Sequence, residues 1–273
     1  MKGTFILMLI VLITCPLNSQ ELNIVSWNLK DFGKTRTDDD IDMIANVIQE
    51  YDIIAIQEVV AKDRGGVKAV ERLCNQLNAH QTIWKFIYSQ PTNSPSGNIS
   101  ERYAFLYKET KVSLITAYLI EELESYVNRE PYVASFDFKG IGITIVNYHA
   151  CTHQNHYPER QEIKYVTAWL RNEHYSDVVF VGDMNLNVND KGFDSLKNSF
   201  ENVFNGEKTS LKEECVFGNY LSKAEDNIFY SLNNFRFLNG KAINFIGTIN
   251  CESVSWKRNS FSDHLPILIK LGI

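Results

Sequence analysis

Several apolar runs in this chain stop abruptly at residues able to hold a metal ion, move a proton or grip an anion. "VSWN" ends at Asn28, "IIAIQE" at Glu58, "TIVNYH" at His149 and "VVFVGDMN" at Asp183 and Asn185. Near the C-terminus "SDHLPI" sets Asp263 and His264 just ahead of another apolar run. Each alone is an ordinary strand end, where Asn, Asp and Gly make turns. Together they offer carboxylates, carboxamides and two imidazoles. Such groups can orient and deprotonate a water, protonate a leaving oxygen and stabilise charge as it builds.

The densest stretch is "NYHACTHQNHYPER", residues 147–160, which holds His149, His153 and His156, half of the chain's 6 histidines, beside Cys151. Four nitrogen and sulfur ligands so close together suggest zinc. The paired C-x₂₋₄-C and H-x₃₋₅-H arrangement of a structural zinc site is absent, and so tight a cluster would need a severely folded backbone. The spacing favours one strand-terminal histidine, His149, followed by an exit loop carrying His153 and His156.

The surrounding pattern alternates strands and helices. "LNIVSW" alternates with period two and predicts a first strand. In "TDDDIDMIANVIQEY", Ile41, Ile44 and Ile48 share a helical face behind an Asp-rich start, and "DIIAIQE" predicts a buried strand. A second helix follows Gly65-Gly66, with Val67, Val70, Leu73 and Leu77 as its apolar stripe. "RYAFLYK", "PYVASFDF" and "GITIVNYH" read as strands, the last with Ile143, Ile145 and Asn147 facing inward. Pro158 opens a helix striped by Ile163, Val166 and Leu170, "DVVFVGDMN" is a buried strand, and "HLPILIKL" is the last strand. The mixture predicts sheets packed together with helices outside. Strand ends of one sheet edge converge in space, so the polar termini would meet.

Composition bounds the rest. With 273 residues, 44% hydrophobic and 22% charged, the chain suits one large α/β domain. A net charge of −6 gives no strongly basic face for non-specific nucleic-acid binding, but it is compatible with carboxylates that hold cations against a phosphate. Residues 1–20 read as a secretion signal: Lys2 precedes an apolar run from Phe5 to Thr14, too short to cross ~30 Å of hydrocarbon. A lipoprotein signal processed at Cys15 is the competing reading. Secretion or a periplasmic location follows from either, with residues 21–273 as the folded domain. Cys74, Cys151, Cys215 and Cys251 allow one or two disulfides in an exported protein, with their pairing left open.

Taken in order, "SWN", "IQE", "ERYAFLY" (101–107), "REPY" (129–132), "NYH", "VGDMN", "EDNIFY" (225–230) and "SDHLPI" resemble the endonuclease/exonuclease/phosphatase superfamily, and in particular its deoxyribonuclease I-like branch. The resemblance spans the chain beyond the signal. It implies a four-layer α/β/β/α sandwich, two packed mixed β-sheets flanked by helices. It also implies a divalent-metal-dependent phosphodiesterase acting on DNA as a monomer. Glu58, Asn28 and Asp263 would be the metal ligands, an oxygen set suited to Mg²⁺ or Mn²⁺, with Ca²⁺ as an additional structural ion. Asp183 and Asn185 would position water and phosphate, and His149 and His264 would flank the scissile phosphate. Glu101 would orient His149, Asp226 would orient His264, and Arg129 would contact a phosphate oxygen.

Three positions depart from the branch. Val60 stands where it has an Arg, Ile99 where it has a Tyr that enters the minor groove, and Glu225 where a Tyr precedes the second carboxylate. The first two weaken the expectation of the same docking on duplex DNA. A phosphatase or phospholipid phosphodiesterase of the superfamily, of the inositol-phosphate or sphingomyelin type, is the alternative, and a non-catalytic binding module is a further one.

The remaining features have plainer readings. Trp27, Trp84 and Trp169 are core residues, and Asp38–Asp40 is a helix cap in preference to a calcium site. Lys62, Arg64 and Lys68 form a solvated loop that could line a phosphate groove. Asn98-Ile99-Ser100 is a glycosylation sequon only in a eukaryotic setting.

Overall fold

The computed structural model describes residues 20–79, 82–151, 158–247 and 251–273. Residues 1–19 of the predicted signal, with Cys15, and His153 and His156 of the exit loop, lie outside the described residues. In chain order the elements are β1 (Glu21–Phe32), α1 (Asp38–Ile48), β2 (Ile53–Val60), α2 (Gly65–Asn78), β3 (Trp84–Tyr88), β4 (Glu101–Lys108) and β5 (Ser113–Leu119). They continue with β6 (Tyr132–Phe138), β7 (Ile141–His149), α3 (Glu159–Asn172), β8 (Val178–Asp183), β9 (Glu201–Asn202), β10 (Leu211–Val216) and β11 (Asn219–Leu221). The last are β12 (Asp226–Ser231), β13 (Arg236–Ala242), α4 (Cys251–Ser260) and β14 (Ile267–Gly272).

Two six-stranded sheets form, ordered β13-β14-β1-β2-β4-β3 and β5-β6-β7-β8-β12-β9, with β10-β11 as a separate hairpin. Both sheets are mixed: β1 runs parallel to β2 and β7 parallel to β8, while their other pairings are antiparallel. Alternation along each strand sorts its side chains into layers. Ile24, Ile53, Phe105, Phe136, Ile145 and Val179 meet between the sheets. Val25 and Ile54 point the other way, onto Ile41, Ile44, Val70 and Leu73 of α1 and α2. Val146, Tyr148 and Phe180 likewise cover Ile163, Val166 and Leu170 of α3. This is the predicted four-layer α/β/β/α sandwich, with Ile143 and Ile145 facing inward as the period-two pattern requires.

Local signals hold where a cap is involved. Thr37 caps α1 and accepts from the Asp40 N–H at 3.1 Å, while the Asp40 carboxylate accepts from the Thr37 N–H at 2.9 Å. Asp38 pairs with Arg72. The acidic run therefore serves the helix start, in keeping with the capping reading. Trp27 and Trp84 are buried and Trp169 packs on the α3 cluster. The elements that the sequence pattern did not mark are β3, β5, β9, β12, β13, the β10–β11 hairpin and α4. β5 and β13 lie at sheet edges and expose most of their side chains, so no apolar face marks them. Cys215 and Cys251 form a disulfide between the hairpin and α4, and Cys74 and Cys151 are free and buried. Among the described residues no helix is long and apolar enough to cross a membrane.

Register carries the polar strand ends to one edge. His149 lies opposite Asp183 across the parallel β7–β8 pair, and Asp183 opposite Asp226 across β8–β12. Asn28 lies opposite Gln57 on β1–β2, one residue before Glu58. The row depends on a close approach at Gly182, whose φ is +144° and whose added Cβ would lie 1.8 Å from the Tyr148 carbonyl oxygen. Gly182→Ala should therefore destabilise the fold by on the order of 3 kcal/mol, read as a lower urea midpoint. An unchanged midpoint would refute the close-packing account of this position.

Candidate active site

Below the strand ends, a buried polar ladder joins the two sheets. Gln57 Nε2 donates to Ser26 Oγ at 2.9 Å and to Asn147 Oδ1 at 2.5 Å, and Asn147 Nδ2 donates to the Ile56 carbonyl at 3.1 Å. Gln57 and Asn147 are wholly buried, so these bonds fix β2 against β7 more tightly than apolar contact alone would. Glu58 follows directly. Its φ is +57°, and Lys30, Asp31 and Asn185 beside the same edge also have positive φ. Non-glycine residues in this region persist only where their surroundings hold them, and such residues gather at functional sites.

Glu58 Oε2 accepts from the Asp31 N–H at 2.9 Å, and Glu58 Oε1 accepts from Asn28 Nδ2 at 2.9 Å. The same Asn28 nitrogen reaches Asp183 Oδ2 at 3.1 Å, so one carboxamide joins a carboxylate from each sheet. Both imidazoles aim at that same Asp183 oxygen, His149 Nε2 from 3.6 Å and His264 Nε2 from 3.5 Å. Behind each ring stands a carboxylate: Glu101 Oε2 is 2.9 Å from His149 Nδ1, and Asp226 Oδ2 is 2.8 Å from His264 Nδ1. Asp226 Oδ2 in turn accepts from Thr209 Oγ1 at 2.5 Å. Arg129 Nε lies 3.2 Å from Glu101 and donates to the Ile99 carbonyl at 2.8 Å. Asn185 donates its backbone N–H to Asp183 Oδ1 at 3.0 Å and its Nδ2 to the Ala150 carbonyl at 2.7 Å.

Charge follows from these contacts. Burial alone would push His264 down, but the carboxylates of Asp226 and Asp183 overcome it and hold the imidazole well above its ordinary range. His149 shows the same contest: burial lowers it, Glu101 raises it more than Arg129 opposes, and the net is upward. Burial would raise Glu101, yet the Arg129 and His149 charges bring it below the usual carboxylate range. Burial pushes the Cys151 thiol up to about 12.

The structure brings together Asn28, Glu58, Glu101, Arg129, His149, Asp183, Asn185, Asp226 and His264. Asp263, the third expected metal ligand, pairs with Lys30 and Arg258. Its Oδ2 is 3.0 Å from Lys30 Nζ and 3.3 Å from Arg258 Nη2, and these charges, with that of His264, bring its pKa below the ordinary value although burial would raise it. Glu58 and Asp183 on either side of one carboxamide still form a hard oxygen set of the kind Mg²⁺ takes, with no sulfur near. Asn28 turns its nitrogen toward them because its Oδ1 accepts from the Lys30 N–H at 2.9 Å, so service as an oxygen ligand requires the amide to rotate. Asp183, Asp226 and His264 also bring donor atoms within 4.8 Å of one another. There the imidazole pairs with Asp226 through Nδ1 at 2.8 Å and faces Asp183 Oδ2 from 3.5 Å.

Sequence reasoning missed the supports. Thr209, Lys30 and Gln57 carry no local signal for their roles. Nor does Glu162 of α3, which is buried and accepts from Asn128 N at 2.6 Å, Asn128 Nδ2 at 2.5 Å, Tyr148 Oη at 2.9 Å and Cys151 N at 3.3 Å. Those partners flank Arg129 and His149 in the chain. Glu162→Ala would strand several buried donors and should cost on the order of 3 kcal/mol in urea unfolding, while Glu162→Gln, which retains an acceptor, should cost less. Wild-type stability in the alanine variant would remove Glu162 from this supporting role.

Comparison with known proteins agrees with this geometry. The Endonuclease/Exonuclease/phosphatase family model matches residues 25–264. Human deoxyribonuclease-1-like 2 is 31% identical over 123 residues, 44% of this chain and 40% of that protein. Bovine deoxyribonuclease-1 is 32% identical over 145 residues, 50% of each. The chain thus spans about half the length or less of the curated relatives it matches. A mannosyl-6-phosphatase from Bacteroides thetaiotaomicron superposes with a TM-score of 0.65 at 14% identity, covering 92% of this chain and 100% of that one, which shows a shared fold. With a match reaching from the first strand to the second imidazole, the chain belongs to the endonuclease/exonuclease/phosphatase family.

Proposed function

We propose that this chain is an exported, Mg²⁺-dependent endonuclease that hydrolyses DNA phosphodiester bonds as a monomer. The observation that carries the reading is the convergence of two carboxylate-backed imidazoles on Asp183 Oδ2, at 3.6 and 3.5 Å, beside Glu58. Relatives named as deoxyribonucleases support DNA as the substrate. Mn²⁺ would serve the same oxygen set, and Ca²⁺ would be an additional structural ion.

A divalent cation held by Glu58, Asn28 and Asp263, when bound, would neutralise charge on the phosphoryl oxygens and lower the pKa of water. The residues of the chain supply the rest. Asp183, an acceptor at the centre of the donors, orients the attacking water and takes its proton, and Asn185 steadies the other Asp183 oxygen. His264, kept protonated by Asp226, donates to a phosphoryl or leaving oxygen from its Nε2. His149, fixed by Glu101, donates from the other side. The Nη groups of Arg129 make no hydrogen bond among the described residues, and these grip a non-bridging oxygen.

Supercoiled plasmid should be nicked in Mg²⁺ and left intact when EDTA removes the ion. His264→Ala and Asp183→Ala should each lower the rate roughly 10²–10⁴-fold with folding retained, and Arg129→Ala should act mainly on KM. Hydrolysis of a phospholipid or of bis-p-nitrophenyl phosphate with no cutting of nucleic acid would instead support the phosphatase or phospholipase reading. Near-normal turnover by either alanine variant would refute the site.

A further inference from the structure

Beside Glu58 the surface opens into a cleft of about 300 Å³ that the hydrolytic step leaves without an occupant. One wall is Val60 to Lys62, the continuation of β2; the other is the loop before β4, with Asn98 and Ile99. Glu58, Glu101 and Arg129 form the inner end and Asp31 lies at the rim. Three properties limit what can fill it.

The inner end abuts the reacting centre. Arg129 commits only its Nε, to Ile99 and Glu101, so a phosphate held by its Nη groups sits where the cleft begins. The walls are chemically mixed: Val60 and Ile99 supply apolar surface, while Asp31 and Asn98 offer an acceptor carboxylate and a carboxamide. A flat apolar body with a hydrogen-bonding edge matches that pattern, and this is the chemistry of a nucleobase. The volume lies at the small end of ligand pockets, enough for one base and its sugar and far too small for a stacked duplex. The net charge of −6 offers little general attraction to a duplex backbone, so contacts to a base would contribute more of the binding.

We propose that this cleft receives one unstacked nucleobase adjoining the phosphate held at Arg129, so that the chain cuts unpaired strands in preference to B-form duplex. The inference rests on the nuclease reading above. A base inside a duplex must break its pair and stack to enter, at a cost of a few kcal/mol that an unpaired strand largely avoids.

The test uses oligonucleotides of one sequence, single-stranded and annealed, cut by the full chain and by Asn98→Trp and Ile99→Trp. Both substitutions fill the cleft. The first lies on an exposed loop position, and the second keeps the backbone carbonyl that holds Arg129. The wild-type chain should cut the single strand roughly tenfold or more faster, and both variants, melting as the wild type does, should bring that ratio near one. Equal wild-type rates on the two substrates, or an unaltered ratio in both variants, overturns the cleft assignment and leaves the nuclease reading standing. No cutting of either oligonucleotide overturns both.

Discussion

The shared carboxylate oxygen of Asp183 is the point on which the site depends. It takes an amide from Asn28 on one sheet and faces imidazoles from β7 and from the segment before β14. A buried carboxylate is stable only when donors surround it, and these donors come from parts of the chain that are far apart in sequence. The two sheets must therefore pack in one register for the charge to be tolerated. The Gln57–Asn147 bonds, placed one layer below, enforce the same register.

The two imidazoles share one construction but not one environment. Asp226 and Asp183 both act on His264, whereas His149 feels Arg129 against Glu101. That difference holds the first strongly cationic and the second less so. It gives otherwise similar rings distinct electrostatic settings, one facing the segment of Thr209 and the other facing Arg129. A fold with helices on both outer faces leaves this strand-end edge open, and there the proposed hydrolytic centre and the adjoining cleft meet.

Much of this was legible early. Period-two alternation in "LNIVSW" and "GITIVNYH" assigns each side chain to a layer, and Ile24, Val25, Ile145 and Val146 sort as it demands. The aspartate run 38–40 announced the start of α1, whose cap proves to be the preceding Thr37. Edge strands β5 and β13 were invisible because neither buries a full face. Helix α4 escaped because Trp256 is exposed and its remaining positions are largely polar.

For the site the division is sharper. Residue types at strand ends name the acids, amides and imidazoles, since few uses explain Asn28, Glu58, His149, Asp183 and His264 terminating apolar runs together. The sequence also separates His149 from its neighbours, because a histidine ending a buried strand differs from one in a polar loop. What tertiary structure alone decided is which charge meets which. Asp263 faces Lys30 and Arg258, Glu162 braces the residues before Arg129 and His149, and Cys215 pairs with Cys251. Local periodicity is a property of neighbours along the chain, and it carries layer and strand. Electrostatic partnership depends on distances of a few ångströms between remote segments, which only the packed sheets set.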